Sequence, residues 1–355
     1  MKGKQQVVIC KDLKVELTSF LSSLKYDKVY ILTDTNTAEK CYPVLKDIPL
    51  LKDASVWTVG AGDAYKDIEQ VLSLWKRLCD TGASRKSLLV NLGGGMITDM
   101  GGFVGATFKR GIQTINIPTT LMSSVDAAVG GKTGINFGGL KNEVGSFYPP
   151  LCVFIYNEFI RTLDRDNILS GYAEMIKHAL ISSRAIYSDV LSFNPDDKDY
   201  IERLNYLVAQ SVTVKERIVE EDPKEYGIRK ALNFGHTLGH AYESLSFKKG
   251  RPILHGHAVA AGIVGELYLS YKTCGFPIKD LTQIVHYIKS LYPAFVHSCK
   301  DYDALYELMT HDKKNEAGVI NFTLLSDIGE VQINQSVDKD AILASLDFYR
   351  ESFGF

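Results

Sequence analysis

The sequence lacks any close pair of cysteines. Cys10, Cys41, Cys79, Cys152, Cys274 and Cys299 are scattered over 355 residues without a C-x-x-C, which leaves a zinc ribbon, a thioredoxin-type redox pair and a disulfide scaffold unsupported. Buried free thiols in a reducing cytosol are expected instead. Charge of one sign is missing too. Forty basic residues against forty-two acidic ones leave a formal charge of −2, so no positive field exists to draw in nucleic acid. No apolar run approaches bilayer-spanning length, and the one that starts at Ala258 stops at Glu266. The opening MKGKQQVVIC carries lysines but no long apolar core and does not read as a signal peptide. A cytoplasmic protein with neither membrane nor nucleic-acid partners is expected. What the chain has is 45% hydrophobic and 23% charged residues, the balance of a packed globular protein. Its length accommodates roughly two domains.

The two halves differ in rhythm. Val29 to Thr33, Ser55 to Val59, Leu88 to Leu92, Thr114 to Ile117 and Val153 to Tyr156 are strand-sized apolar runs bounded by turn residues. Between two of them Ala64, Ile68, Val71, Leu72, Trp75 and Leu78 recur at helical spacing. Alternating strands and helices predict a mostly parallel sheet covered on both faces, with ligands beyond the carboxyl ends of its strands. After about Thr162 the pattern becomes helical: Ile168 to Ile181, Tyr200 to Glu220, Lys230 to Leu245, Ala258 to Tyr271 and Leu281 to Leu291. Val319 to Leu325 and Glu330 to Ile333 flank Ser326–Gly329 as one hairpin. The fold class is therefore an α/β N-terminal domain, residues 1–161, followed by a mainly α-helical C-terminal domain, residues 162–355.

Asn91 to Gly105 reads NLGGGMITDMGGFVG, directly after a strand and opening a helix. Gly93, Gly94 and Gly95 let the backbone approach a pyrophosphate, and the helix N-terminus offers its N–H groups to an anion. The run is neither G-x-G-x-x-G, since Thr98 holds the last position, nor a P-loop. Asp99, one turn later, suits a helix cap or a ribose or substrate hydroxyl. Thr119 and Thr120 follow the next strand, and SVDAAVGGKTGIN places Lys132 on what reads as a glycine-rich loop, with Lys141 and Asn142 beyond it. These loops suggest an anionic ligand.

Four of the eight histidines fall within residues 236–257. His236 and His240 are four apart and share a helix face, while His255 and His257 open the next apolar helix. Such a cluster favours a metal site over satisfied structural histidines, and two or three imidazoles want a carboxylate to complete a catalytic zinc site. GYAEMIKHAL offers Glu174, with Lys177 and His178 on the same face. Spacing alone does not choose among His178, His236, His240, His255 and His257, and it does not match H-E-x-x-H. Metal, phosphate-binding basic residues and a nucleotide loop together suggest alcohol chemistry, a metal polarising a hydroxyl and a nicotinamide accepting hydride.

GGGMITDMGGFVGATFKRG, INIPTTLMSSVDAAVGGKTGIN, LKNEVGSFYPP, GYAEMIKHA, RKALNFGHTLGHAYE, LHGHAVAAG and DKKNEAG follow one another along nearly the whole chain. In this order they resemble the 3-dehydroquinate synthase family of sugar-phosphate cyclases, the second step of the shikimate pathway of aromatic amino acid biosynthesis. The resemblance implies a Rossmann-like NAD-binding domain, a helical metal-binding domain and a homodimer. It implies zinc, for which cobalt can substitute, on Glu174, His236 and His255, and His240 as a catalytic histidine. Asp126, Lys177, Lys215, Arg229 and Asn233 are implied to hold the substrate's hydroxyls and carboxylate, and Lys132, Asn142, Lys313 and Arg110 its phosphate, Arg110 coming from the partner subunit. NAD is implied along Gly94, Gly95, Asp99, Thr119, Thr120, Lys132, Lys141 and Thr162, with Asp34, Asp63 and Lys66 near its adenosine end. Two positions depart from the pattern: GAGDAYK has Asp63 where many members carry glutamate, and His257 replaces the glutamate of H-G-E.

The implied reaction converts 3-deoxy-D-arabino-heptulosonate 7-phosphate to 3-dehydroquinate by oxidation, phosphate elimination, re-reduction and aldol closure. The rivals are another cyclase such as 2-deoxy-scyllo-inosose synthase, a metal-dependent polyol dehydrogenase, and a non-catalytic NAD-binding homologue. The glutamate at 174 and the set of phosphate-binding basic residues weigh against the dehydrogenase, and the complete ligand set weighs against the non-catalytic homologue.

Overall fold

The computed structural model describes residues 5–197, 200–310 and 320–355. The chain divides between Asp164 and Arg165 into two compact units. In the first, six strands of the described residues form one sheet in the order β1-β8-β5-β4-β2-β3, every pair parallel. They are β1 Gln6–Ile9, β2 Val29–Asp34, β3 Ser55–Val59, β4 Leu88–Gly93, β5 Gln113–Pro118 and β8 Cys152–Ile155. β2, β4 and β8 are buried along their whole length, as expected of a sheet covered on both faces.

The side-chain period of two sorts each strand between two cores. Ile31, Val90, Ile115 and Phe154 meet helix α1, Leu13–Ser23, through Leu13, Leu17 and Leu21. Tyr30, Leu32 and Leu89 face the other way. There they meet Val71, Leu74 and Leu78 of α4, Ile68–Asp80, and Ile97, Met100 and Val104 of α5, Gly95–Thr107. Each fully buried aliphatic side chain contributes about 1.5–3 kcal/mol by leaving water. Two short helices, α2 Thr35–Lys40 and α3 Tyr42–Lys46, follow β2. From β2 the chain moves to β3 on one side and then to β4 on the other. Strand order thus reverses between β2 and β4, and the glycine run lies at the carboxyl end of β4, where open α/β sheets bind ligands.

A feature not expected from the sequence is an antiparallel ribbon, β6 Lys132–Phe137 paired with β7 Leu140–Phe147. Lys132 therefore stands at the start of a strand rather than on a flexible loop, opposite Phe147. Its glycines disguise it, since Gly134 and Gly145 sit where the two backbones approach closely.

The second unit is built on α6 Arg165–Leu180, α7 Arg184–Leu191, α8 Tyr200–Glu221, α9 His236–Lys248, α10 His255–Cys274, α11 Ile278–Leu291, α12 Tyr302–Thr310 and α13 Lys339–Phe353. Strands β9 Asn321–Asp327 and β10 Glu330–Ser336 pair as the expected hairpin; Val319 lies outside the described residues. α10 is apolar on all sides and packs against α6, α9, α11, α13 and β9, the pattern of a central helix. α6 is buried continuously from Ile168 to Leu180. The helix expected over Lys230–Leu245 is broken. Ile228–Asn233 is a 3-10 turn, and Gly235 at φ +78° starts α9 afresh at His236. Only glycine holds that left-handed angle cheaply.

Candidate metal centre and nucleotide loop

Three buried helices converge on one point of the second unit. α6 supplies Glu174, fully buried; α9 supplies His236 and His240; α10 supplies His255 in its first turn. Glu174 Oε1 lies 3.4 Å from His236 Nε2 and 3.6 Å from His255 Nε2. The ligand nitrogens of His236, His240 and His255 lie within 4.8 Å of one another. His236 Nδ1 is 3.0 Å from the Phe234 carbonyl and His255 Nδ1 is 3.1 Å from Glu243 Oε2, so both rings turn Nε2 towards Glu174. Of the other two histidines of the sequence argument, His257 turns away, its Nε2 meeting the Asp166 carbonyl at 3.3 Å, while His178, whose Nδ1 meets Ser211 Oγ at 2.7 Å, keeps a ring nitrogen within 4.8 Å of a Glu174 carboxylate oxygen.

The donor set fits a divalent ion. Ligand atoms about 2.1 Å from a tetrahedrally held zinc lie about 3.4 Å from one another, which matches the 3.4 and 3.6 Å separations of Glu174 from the two imidazoles. Those gaps are longer than the best charge-assisted hydrogen bonds, so the carboxylate and the rings stand at ligand spacing rather than in close pairs.

Charges in the pocket are mutually arranged. Burial opposes ionisation of Glu174, yet Lys177, one turn on and paired with Oε2, together with His236 and His255 holds its pKa well below the usual carboxylate value. Burial likewise opposes a charge on His255, but Glu243 and Glu174 outweigh it and push its pKa up to about 10. Burial lowers that of His257.

The remaining expected residues of this unit lie on neighbouring elements. Lys215 is buried on α8. Arg229 is buried in the 3-10 turn, its Nη1 donating to the Pro223 carbonyl at 2.6 Å. Asn233 Nδ2 donates to Glu225 Oε1 at 3.0 Å. Lys313 lies outside the described residues.

Sequence reasoning missed two carboxylates here. Glu266 is fully buried mid-α10 and accepts from the Gly235 N–H at 2.6 Å and the Leu238 N–H at 3.0 Å. It caps α9 just where His236 begins. A lone acid ending an apolar run was the available signal, because such a group is buried only with partners. Glu243, the other, carried no signal beyond lying one turn past His240.

In the first unit the glycine run forms the expected turn. Gly94 is the N-cap of α5 without a side-chain cap, which leaves the first N–H groups to an anion. Thr119 follows β5, and its buried hydroxyl has no hydrogen-bond partner among the described residues. Thr120 packs its methyl against Gly94 and bonds Ser123. An unfilled helix start, an unsatisfied hydroxyl and the reversal of strand order fit a dinucleotide pyrophosphate. Lys66, almost fully buried, links Asp99, at 2.6 Å, to Asn142. Asp63 contacts Lys141 at 3.4 Å and Asn136 Nδ2 at 3.1 Å. These five expected residues come from three separate segments and form two neighbouring groups.

Asp34 caps α2 through the N–H groups of Asn36 and Thr37. Thr162 donates to the Phe159 carbonyl at 2.7 Å. Asp126 sits in the turn Ser123–Ala127. Lys109, Arg110 and Gly111 are three consecutive left-handed residues, at φ 49°, 65° and 117°. That is strain of the kind kept at functional sites, and it holds Arg110 exposed while Arg85 Nε clamps the Lys109 carbonyl at 3.0 Å.

Residues 56–170 match the 3-dehydroquinate synthase N-terminal family, and residues 171–315 match its C-terminal family. The chain belongs to the 3-dehydroquinate synthase family. A curated 3-dehydroquinate synthase of Parabacteroides distasonis is 72% identical over 99% of both chains. That of Pyrococcus furiosus is 39% identical over 96% of this chain and 98% of its own. Among solved structures, 2-epi-5-epi-valiolone synthase from Streptomyces hygroscopicus subsp. jinggangensis, with NAD+ and Zn2+ bound, superposes with a TM-score of 0.88 at 21% identity, covering 99% and 98% of the two chains. A 2-deoxy-scyllo-inosose synthase bound to carbaglucose-6-phosphate, NAD+ and Co2+ gives a TM-score of 0.79 at 20% identity over 98% and 96%. At these identities the two structures establish a shared fold.

Proposed function

We propose that this protein is a 3-dehydroquinate synthase, a carbon–oxygen lyase releasing phosphate from 3-deoxy-D-arabino-heptulosonate 7-phosphate as it closes the carbocycle of 3-dehydroquinate. The observation that carries this is the gathering of Glu174, His236 and His255 beside a buried lysine, in a chain 72% identical end to end to a curated enzyme of that activity.

Glu174, His236 and His255 would hold the divalent ion, zinc or cobalt, and the α5 glycine turn with Thr119, Thr120, Lys141, Asp99 and Lys66 would hold NAD. When bound, the ion polarises the C5 hydroxyl and NAD accepts and returns one hydride, leaving no net redox change.

The chain's own residues do the rest. His240, on the face of α9 that carries His236, moves the proton of that hydroxyl. Lys177, fixed against Glu174, presents its ammonium to a substrate oxygen. Lys215, Arg229, Asn233 and Asp126 orient the carboxylate and the other hydroxyls. Lys132, Asn142, Arg110 and Lys313 fix the phosphate, whose own oxygen takes the C6 proton as the C–O bond to phosphate breaks. Holding a phosphate that must also leave is positioning work, to which fixed cations contribute most. The ring then opens and closes by an intramolecular aldol step.

We further infer a homodimer. Phe137, Leu140, Val144 and Phe147 leave four large apolar side chains exposed on one ribbon, a surface that proteins keep covered. The strained Lys109–Gly111 bend, presenting Arg110 outward, suits its use by the partner subunit. NAD-dependent biosynthesis and six free thiols fit the cytoplasm, although Cys79 and Cys299 are exposed rather than buried as expected.

The deciding assay is phosphate release from 3-deoxy-D-arabino-heptulosonate 7-phosphate by purified protein with NAD and zinc, the carbocyclic product weighed by mass spectrometry. Glucose 6-phosphate is run in parallel. Dehydroquinate formation that a chelator abolishes is the expected result. Turnover of glucose 6-phosphate alone would move the protein to the aminocyclitol branch of the fold, and no turnover of either would refute the assignment.

A further inference from the structure

The two histidines facing Glu174 are held from behind by different groups. His236 Nδ1 meets a neutral backbone carbonyl, that of Phe234. His255 Nδ1 meets a carboxylate, Glu243, 3.1 Å away and only 6% exposed. Glu243 sits on α9, seven residues after His236 and three after His240, whereas His255 opens α10. One side chain therefore reaches across from the helix carrying two of the histidines to orient the third.

We propose that Glu243 is a positioning residue of the metal centre, setting both the direction of His255 and the strength with which the site holds its ion; this rests on the metal-site reading above. The Nδ1–H donated to Glu243 fixes the tautomer that leaves the Nε2 lone pair directed at Glu174 and the ion. The negative charge behind the ring increases electron donation from Nε2, as outer carboxylates do in carboxylate–histidine–metal arrangements. It also adds a second buried carboxylate beside Glu174, favouring a doubly charged ion. Glu243 is itself buried, so little solvent screens its carboxylate.

The test compares wild type with Glu243→Gln and Glu243→Ala, each stripped of metal and titrated with Zn2+ against a chromophoric chelator and with Co2+ followed by its visible spectrum. Glu243→Ala is expected to bind zinc about 10–100-fold more weakly and to shift the cobalt spectrum. Glu243→Gln, which keeps an acceptor oxygen but loses the charge, should fall between them. A merely structural contact between α9 and α10 would lower the melting temperature and leave zinc affinity and cobalt spectrum unchanged, and that result overturns the proposal. Should the wild type itself take up neither ion, the metal-site reading fails first, and this inference with it.

Discussion

The contact between α6 and α10 sets the separation of Glu174 from His255, the gap an ion held as proposed above would span, and Gly256 sets the contact. Its N–H donates to Ser170 Oγ at 3.1 Å, and a Cβ placed on it would lie 1.8 Å from the Ser170 carbonyl oxygen and 2.5 Å from the carbonyl carbon. These are main-chain atoms of α6, four residues before Glu174, so no rotamer change relieves the clash. Restoring van der Waals contact requires the start of α10 to retreat by roughly 1.5 Å. His255, the preceding residue, moves with it. Its 3.6 Å separation from Glu174 then opens to roughly 5 Å, well past the ~3.4 Å that a tetrahedral zinc bridges. Gly256→Ala should therefore weaken zinc binding at least ~10-fold, the scale of lost ligand orientation. Overpacking should remove about 1–3 kcal/mol of stability, and at ~2–4 °C per kcal/mol the melting temperature should drop by several degrees. Chelator competition and a thermal melt of the metal-free protein read the two effects separately. Wild-type zinc affinity in this variant would refute the view that the α6–α10 contact fixes the ligand spacing.

Replacing His240 by alanine should abolish turnover while zinc, measured by metal analysis, stays bound; full turnover would remove His240 from the chemistry. In the metal-free protein His255 has its pKa raised to about 10, so it carries a proton at neutral pH that the ion must displace. Apparent zinc affinity should accordingly rise about tenfold per pH unit between about pH 7 and 9. The stability contributed by that charged imidazole, complete below about pH 6.5, should be lost as pH climbs through 10. A flat affinity profile, or no proton release by calorimetry in two buffers, would contradict this. On the ribbon, Leu140→Asp together with Phe147→Asp should give monomers by sedimentation at micromolar protein; an unchanged dimer would place the interface elsewhere.

The central strands and the glycine turn were legible because their signals are local: apolar runs of strand length, and glycines directly after one of them. The histidine cluster was legible as a density of residues; spacing left its membership open, and the family resemblance alone singled out His236 and His255. Only the packing of α6, α9 and α10 shows that His257 turns to the Asp166 carbonyl while His255 faces Glu174. The break at Gly235 was hidden because helical periodicity runs through it and only its φ betrays it. β1 is a short edge strand with half-buried positions and no clean alternation. β6 and β7 were masked by Gly134, Gly138, Gly139 and Gly145, which read as loop. Glu243 and Glu266 act on partners in another helix, and sequence spacing does not encode such partners.

The pairing of Lys177 with Glu174 bears on how the enzyme matures. A carboxylate buried this deeply would resist folding if the ion were its only counter-charge, as in small zinc domains that are unstructured without metal. Here the counter-charge is supplied by the polypeptide one helical turn away. Synthesis and metal acquisition thus become separate events. A cell short of zinc would accumulate an intact, idle reservoir of this protein rather than lose it to proteolysis. Stripped protein should accordingly keep its far-ultraviolet circular dichroism and regain turnover on adding zinc without a refolding step, whereas collapse on stripping would show that folding waits for the ion.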